Sequence, residues 1–553
     1  MKSIQAGNLA CGVALAFMLA GCDFVRGYAE GHSQQMMVLE QRSPDSPALA
    51  IARFVFDDFG SLNTDTLATN ALPWKVATTA LVTARHNGPA RPQDVRDVLT
   101  RFGFIYPDAV ENWPWAEQPQ FARPLGLVAG TIERNFPRVR IDAVNTGCAA
   151  CHAGVTYTAQ GLPTQRAWIG LPNTSLNVDG FVDAVYEALK QASADRERLL
   201  DALVQLYPET SQAELQTIRR FMWPRITDRL AELQANGDRA LPFRNGGPGV
   251  TNGVAALKLR LGVSDPSEAD LTYAGTTSIP DLGGRILRTS LLYDGVYAHR
   301  QRPRFELRNA SSTESPGGMA TIVGFFTVPT MGMRPERSLD ALPRVAQAMQ
   351  FVAHYRAPEF PGVIDASLLP KGRSVYEAHC AECHGAYSAN NQRPELLVYP
   401  NRLVPQQQMR TDATRWQAIT PELVAAIDQT AFAKHIDAQN TGGYVAPLLS
   451  GLWATAPYLH NGSVPTLWHL MHPQERPQRF QVGGHALDFN AVGIAGKLGE
   501  DGAWKYPDDY QPWSTPMLFD ATQKGRSNRG HEAEFLALSE AEKSALLEFL
   551  KLF

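Results

Sequence analysis

Residues 371–385 read Lys371-Gly-Arg-Ser-Val-Tyr-Glu-Ala-His-Cys380-Ala-Glu-Cys383-His384-Gly385. Two cysteines three apart with a histidine immediately after them form the attachment pattern of a c-type haem. The spacing follows from the chemistry. Two thiols must reach the two vinyl groups on one porphyrin edge, and the next residue must bring an imidazole under the iron. One helical turn does both. A second copy, Cys148-Ala-Ala-Cys151-His152, lies upstream. A zinc ribbon would want its cysteine pairs about 15–20 residues apart, and these are far more distant. A thioredoxin-like pair needs no following histidine. Two covalent haem c groups are therefore expected, with His152 and His384 as proximal iron ligands.

The surrounding chain fits an exported protein. Lys2 precedes a short apolar run, Leu9 to Leu19, which is too short to span a bilayer and matches the core of a secretory signal. The run ends in Leu19-Ala20-Gly21-Cys22. That stretch looks like a bacterial lipobox, in which Cys22 is lipidated and becomes the new N-terminus. An ordinary signal with a chance cysteine is the alternative. Asp23 resembles an inner-membrane retention signal. Of the six cysteines, Cys11 would leave with the signal, Cys22 would take lipid and the remaining four would take haem. No cysteine is left for a disulfide. Haem attachment outside the cytoplasmic membrane and export support each other, so a lipid-anchored lipoprotein on the periplasmic side of a bacterial membrane is expected, inner rather than outer.

At 553 residues the chain exceeds one ordinary core. The formal net charge of −4 carries no basic excess, which argues against a nucleic-acid partner. The expected organisation is a signal peptide over 1–21, a polar tether over 22–45, a first haem domain over 46–240, a loop-rich segment and helix over 241–363, and a second cytochrome c domain over 364–553. The fold expected is mainly α, with two cytochrome c-like haem domains, long loops and few short strands. Arg91-Pro-Gln-Asp94 reads as a helix start. Phe181, Val182, Val185, Tyr186 and Leu189 share one helical face; Leu199 to Leu206 continue a second, and Leu215 to Leu233 a third, interrupted by Pro224. Trp113-Pro-Trp115 reads as loop packed on something flat and apolar, a porphyrin or a plain core. Ser539-Glu-Ala-Glu542 is a capping box opening a last helix.

What fills the sixth iron position separates electron transfer from chemistry. Most of the thirteen histidines have no motif around them, and His469 and His472, which flank Met471, read as surface residues. Met331 and Met333 are thioether candidates, with packing as the default. Two histidines stand out, His460 in a Gly/Pro/Asn turn and His531 in Gly525-Arg-Ser-Asn-Arg-Gly530-His531.

Two CxxCH motifs, a long spacer and then Ala456-Pro-Tyr-Leu-His460-Asn-Gly-Ser-Val-Pro-Thr-Leu467 resemble the dihaem superfamily of bacterial cytochrome c peroxidases and rubber oxygenases. Thr277-Ser-Ile-Pro-Asp-Leu282 with Tyr293-Asp-Gly295, the Ser527–His531 stretch and the closing helix look closest to the rubber-oxygenase-like branch. The resemblance implies that the first haem activates peroxide or dioxygen on an open distal side. It implies that the second relays electrons. By motif position His531 falls where that branch closes the second haem, leaving His460 as a neighbouring or alternative ligand. Tyr293 stands where relatives often carry an inter-haem tryptophan, and a tyrosine's redox chemistry is coupled to proton loss. The implied partners are the small oxidant, an organic substrate and a periplasmic redox protein. The competing reading is a non-catalytic dihaem electron-transfer lipoprotein. Phe305, Phe325 and Phe326 are candidates for an apolar distal wall, with core packing as the alternative.

Overall fold

A computed structural model describes residues 34–42, 48–60, 72–85, 88–135, 138–265, 267–311, 317–330 and 338–553. The proposed signal peptide, Cys22, and Met331 and Met333 lie outside the described residues. Helix makes up 40% and strand 16% of the described residues. The chain is thus mainly helical, but its strands are short and numerous rather than few. Among the described residues no sheet exceeds four strands.

The helix signals act as the sequence predicts. Pro92–Thr100 is helical, and the Arg91 backbone amide donates to Asp94 at 2.8 Å. Val178–Ala192 and Arg196–Leu206 are the two amphipathic helices, each N-capped by a side chain, Asn177 and Asp195. Pro224 does not stop the third. The chain widens to a π-turn over Ile218–Met222 and resumes as Trp223–Ala235, so the proline falls in a first helical turn, where its missing N–H costs nothing. These helices and Trp74–Thr83 share one core, which includes Leu81, Val185, Leu203 and Ile226.

A second core holds the helix Ala48–Phe56, the helix Leu342–His354 and the first haem motif. Trp113 lies tilted at 5.0 Å from Trp115 and edges Phe56 at 5.9 Å, so the Trp-Pro-Trp cluster packs on protein within this core. Segment 241–340 is less loop-like than expected, because Gly253–Arg260 and Gly317–Thr330 are helices. Phe325 is fully buried against Tyr297 and Phe432 in a separate core, and Phe326 packs on the same Tyr297. These two phenyl rings are therefore core rather than a wall beside the first haem motif. Residues 386–450 contribute strands. Leu396–Tyr399 pairs with Arg308–Asn309 and with Ala386–Tyr387, and Ile436–Ala438 pairs with Tyr297–His299.

The C-terminal part is built on a crossing of two helices, Leu369–His379 and Glu540–Leu550. Gly372 lies at the crossing, where an added Cβ would come 2.1 Å from the Ala545 carbonyl oxygen. Tyr376 packs on Phe549 at 5.5 Å beside it. The second helix opens with the expected Ser539–Glu542 capping box. Among the described residues no helix is long and apolar enough to cross a membrane.

Candidate haem sites

In the second motif the helix Leu369–His379 ends at Cys380, and Ala381–His384 form a single new turn. Gly385 leaves that turn at φ +103, with the Val398 carbonyl 2.6 Å from where a Cβ would sit. The position therefore demands glycine. The first motif has the same local form, with Cys148–Cys151 as one turn and the His152 amide donating to the Cys148 carbonyl at 3.0 Å. All four cysteines are free thiols. Burial pushes Cys148 and Cys380 up to about 12 and Cys151 up to about 11. Neutral thiols do not suit a thiolate metal site. Among the described residues no group of three or more Cys, His, Asp or Glu could hold a bare metal ion.

The two proximal histidines are wired alike. His152 Nδ1 lies 3.1 Å from the Pro280 carbonyl oxygen, and His384 Nδ1 lies 2.8 Å from that of Pro447. A carbonyl can only accept, so each Nδ1 carries the proton and each Nε2 is left with a free lone pair, as an iron ligand requires. Burial lowers both pKa values, with His152 pushed down to about 4 by burial and then by the Arg285 charge. Both stay neutral at physiological pH.

The distal sides differ. The His531 ring stands 6.3 Å from the His384 ring, nearly parallel at 26°. Imidazole nitrogens sit about 2 Å from a bound first-row metal, so two imidazoles facing each other across one iron have ring centres about 6 Å apart. The pair fits an iron between them. His531 is an N-terminal helix cap in the left-handed region, φ +63, a strained conformation for a non-glycine residue. Arg476 holds it there. Its buried guanidinium donates to the carbonyls of Asn528 (2.6 Å) and Gly530 (2.9 Å) on one side and of His469 (3.2 Å) and Leu470 (2.7 Å) on the other. His531 Nδ1 is buried without a partner. Burial, with His384 and Arg476 nearby, pushes this histidine down to about 3.

No such partner faces His152. Among the described residues the aromatic ring beside it is Phe54, 6.5 Å away and tilted by 59°, backed by Phe351 at 5.1 Å. A cleft of about 200 Å³ borders this site, lined in part by Val55, Phe56, Phe121 and Gly126. A Cβ on Gly126 would strike the backbone of Ala150 at 2.0 Å, so the cleft reaches the back of the first motif.

Between the motifs lies a polar seam. The Tyr293 carbonyl accepts from the Val445 amide at 2.7 Å, two residues before Pro447. Its hydroxyl is 3.0 Å from Ser278 Oγ, two residues before Pro280, and its ring is 6.3 Å from His460. His460 itself lies against Tyr444 at 4.3 Å, with Nδ1 at 3.3 Å from Thr411 Oγ1, and burial pushes it down to about 3. It is thus brought to Tyr293 and Tyr444, whereas His531 is brought to His384. Asp294 pairs with Arg415 at 3.2 Å, both 1% exposed.

Of the remaining histidines, His379 is exposed, as expected. His469 is not a surface residue. It is buried, with Nδ1 2.8 Å from Thr466 Oγ1 and its ring edged on Trp504. Phe54, Arg285 and Arg476 carry no sequence signal. They stand far from either motif in the chain and are assembled around the sites only by the fold.

A family model described as RoxA-like, cytochrome c-like matches residues 443–481. The match includes His460 and neither CxxCH motif. Two curated relatives from Sinorhizobium fredii are similar in part, and both are described as uncharacterized. Protein y4iM is 41% identical over 90 residues, 16% of this chain and 20% of the relative. Protein y4iJ is 27% identical over 261 residues, 35% of this chain and 41% of the relative. The chain thus spans less than half the length of either relative. The family match supports a relation to rubber-oxygenase-like cytochromes c. A domain of that kind implies covalently bound haem c and a haem-based redox or electron-transfer role.

Proposed function

We propose that this chain is a dihaem oxidoreductase with an open, reactive haem at Cys148–His152 and a closed, electron-storing haem at Cys380–His384. The observation that carries the reading is the asymmetry of the distal sides. A histidine ring faces His384 at 6.3 Å, while a phenyl ring stands at a similar 6.5 Å from His152. Phenyl has no lone pair to ligate and no proton to exchange. Haem at the first site supplies the redox chemistry toward peroxide or dioxygen. The protein's part there is to hold His152 in one tautomer through Pro280 and to set the apolar rings of Phe54 and Phe351 beside it. Heterolysis of a peroxide calls for an acid–base group near the iron, so this setting favours dioxygen. Tyr293 lies between the motifs and is suited to exchange electrons, with its hydroxyl held at 3.0 Å from Ser278 Oγ.

The test is spectroscopic, on the ferric holoprotein. The reading expects one low-spin species inert to cyanide and one species that binds cyanide. Two low-spin species, both inert, would sink it. They would favour the electron carrier instead, for which Met319 or Met349, buried in the same core as Phe54, could supply a sulfur ligand.

The anchoring is proposed with it: export to the periplasmic side, lipid on Cys22, and an organic substrate and a redox protein as partners. Cys22→Ser should abolish fatty-acid labelling and release the protein from the membrane fraction.

A further inference from the structure

Two arginines, Arg288 buried and Arg285 half-buried, are left without a role by the account so far. Arg285 and Arg288 flank the short turn Arg285–Leu287. Arg285 Nε donates to the Asp281 carbonyl at 2.8 Å. Arg288 is 4% exposed and donates through Nε to the Ser290 carbonyl (3.0 Å) and through Nη2 to that of Leu292 (2.7 Å). Its Nη1 is buried without a partner, and so is the hydroxyl of Ser290, 0% exposed. Among the described residues neither guanidinium has a carboxylate at ion-pair distance. The nearest candidate, Asp281, is turned away. It accepts from the Tyr355 hydroxyl at 2.6 Å and from the Gly283 amide at 2.7 Å.

An arginine buried with no anion costs several kcal/mol even after relaxation. Two close enough to repel each other cost more. Such a pair persists where an anion neutralises it, and its location says which one. Arg285 is anchored on the carbonyl of Asp281, the residue after the Pro280 that orients His152.

We infer that Arg285 and Arg288 bind the propionate carboxylates of the first haem, with Ser290 supplying a hydroxyl donor. The guanidinium fork matches a carboxylate in plane and spacing. The ligand class is a pair of carboxylates on one edge of a rigid macrocycle. The inference rests on the haem reading of Cys148–His152. Its consequence is electrostatic. A cation beside the haem offsets the propionate charge and favours the reduced iron, so losing it lowers the midpoint potential of the first haem alone.

The experiment is a spectroscopic redox titration of the full-length holoprotein and of its Arg285→Gln, Arg288→Gln and Arg285→Lys variants, with covalent haem counted by pyridine haemochrome. The expected result is two haems per chain in all four proteins. In the Gln variants the ratio of reduced to oxidised first haem at a fixed potential should fall tenfold or more, about 59 mV for one electron. The second haem should stay unmoved, and Lys should hold both potentials. Two haems with unmoved potentials in both Gln variants would overturn the assignment. A wild-type chain without haem would overturn the haem reading itself, and this inference with it. Should the Gln variants fail to accumulate, Arg285→Lys decides. The propionate bending band in resonance Raman shifts if the fork holds the carboxylate and stays in place if it does not.

Discussion

Replacing His531 separates a ligand from a packed ring. The ring makes no hydrogen bond that could be lost, because Nδ1 has no partner in the protein. Its visible contacts are the rings of His384 at 6.3 Å and Phe535 at 6.1 Å. His531→Ala should therefore cost the protein matrix only side-chain burial and a small cavity, about 2 kcal/mol. The backbone adds a second figure. At φ +63 an alanine keeps the left-handed strain and a glycine does not, so His531→Gly should be the more stable of the two by about 1 kcal/mol. Any loss beyond these amounts in the haem-loaded protein measures the iron–imidazole bond. The assay pairs urea unfolding with spin-state spectroscopy. In both variants the second haem should turn high-spin, free imidazole should restore the low-spin state, and the first haem should keep its spectrum. Unchanged spectra with a loss of only about 2 kcal/mol would refute the ligand assignment.

Three further outcomes are expected. Arg476→Met removes four charge-assisted donations to carbonyls and should cost about 3–5 kcal/mol while making the second haem partly high-spin; a destabilised protein whose second haem stays wholly low-spin contradicts the positioning role. Gly372→Ala drives a methyl group into the Ala545 carbonyl, and the two crossing helices must part at a cost of about 3 kcal/mol, read as a lowered urea midpoint. His485 is buried and pushed down to about 4 by burial, below the value of about 6.5 in an unfolded chain. The unfolded state then binds the extra proton, so stability present above pH 6.5 is lost as pH falls toward 4; the fall from pH 7 to pH 4.5 should be smaller in His485→Leu by about 2–3 kcal/mol, and equal falls would show that this histidine is not held neutral.

The two haem motifs and most helix boundaries were legible because they are local. CxxCH, the Asp94 cap, the Ser539–Glu542 box and the apolar face of Val178–Ala192 each need only a few neighbouring residues to act. What the sequence hid is what the chain assembles from afar. Tyr297–His299 is a strand because Ile436–Ala438 lies beside it, and two-to-four-residue strands carry too little alternation to announce themselves. His469 read as surface because no motif surrounds it, yet Trp504 and Thr466 close over it. Phe325 and Phe326 were weighed as a pocket wall, but helix Gly317–Thr330 turns them into a separate core. Phe54, one phenylalanine in an ordinary apolar helix, gains its interest only from standing beside His152.

The crossing at Gly372 bears on the order of assembly. His384 and His531 lie far apart in the chain, and the residues that join them belong to the helix which packs across Gly372 and to the loop clamped by Arg476. Contacts of such long sequence separation form late, because closing a long loop is costly before its contacts form. Thioether formation at Cys380 and Cys383 needs open access to both thiols, which are only partly exposed in the finished packing. Covalent capture of the haem would thus precede closure, and the freshly attached iron would hold only its proximal imidazole. A chain stalled at that stage would display, at its second haem, the open coordination proposed for the first in the finished molecule.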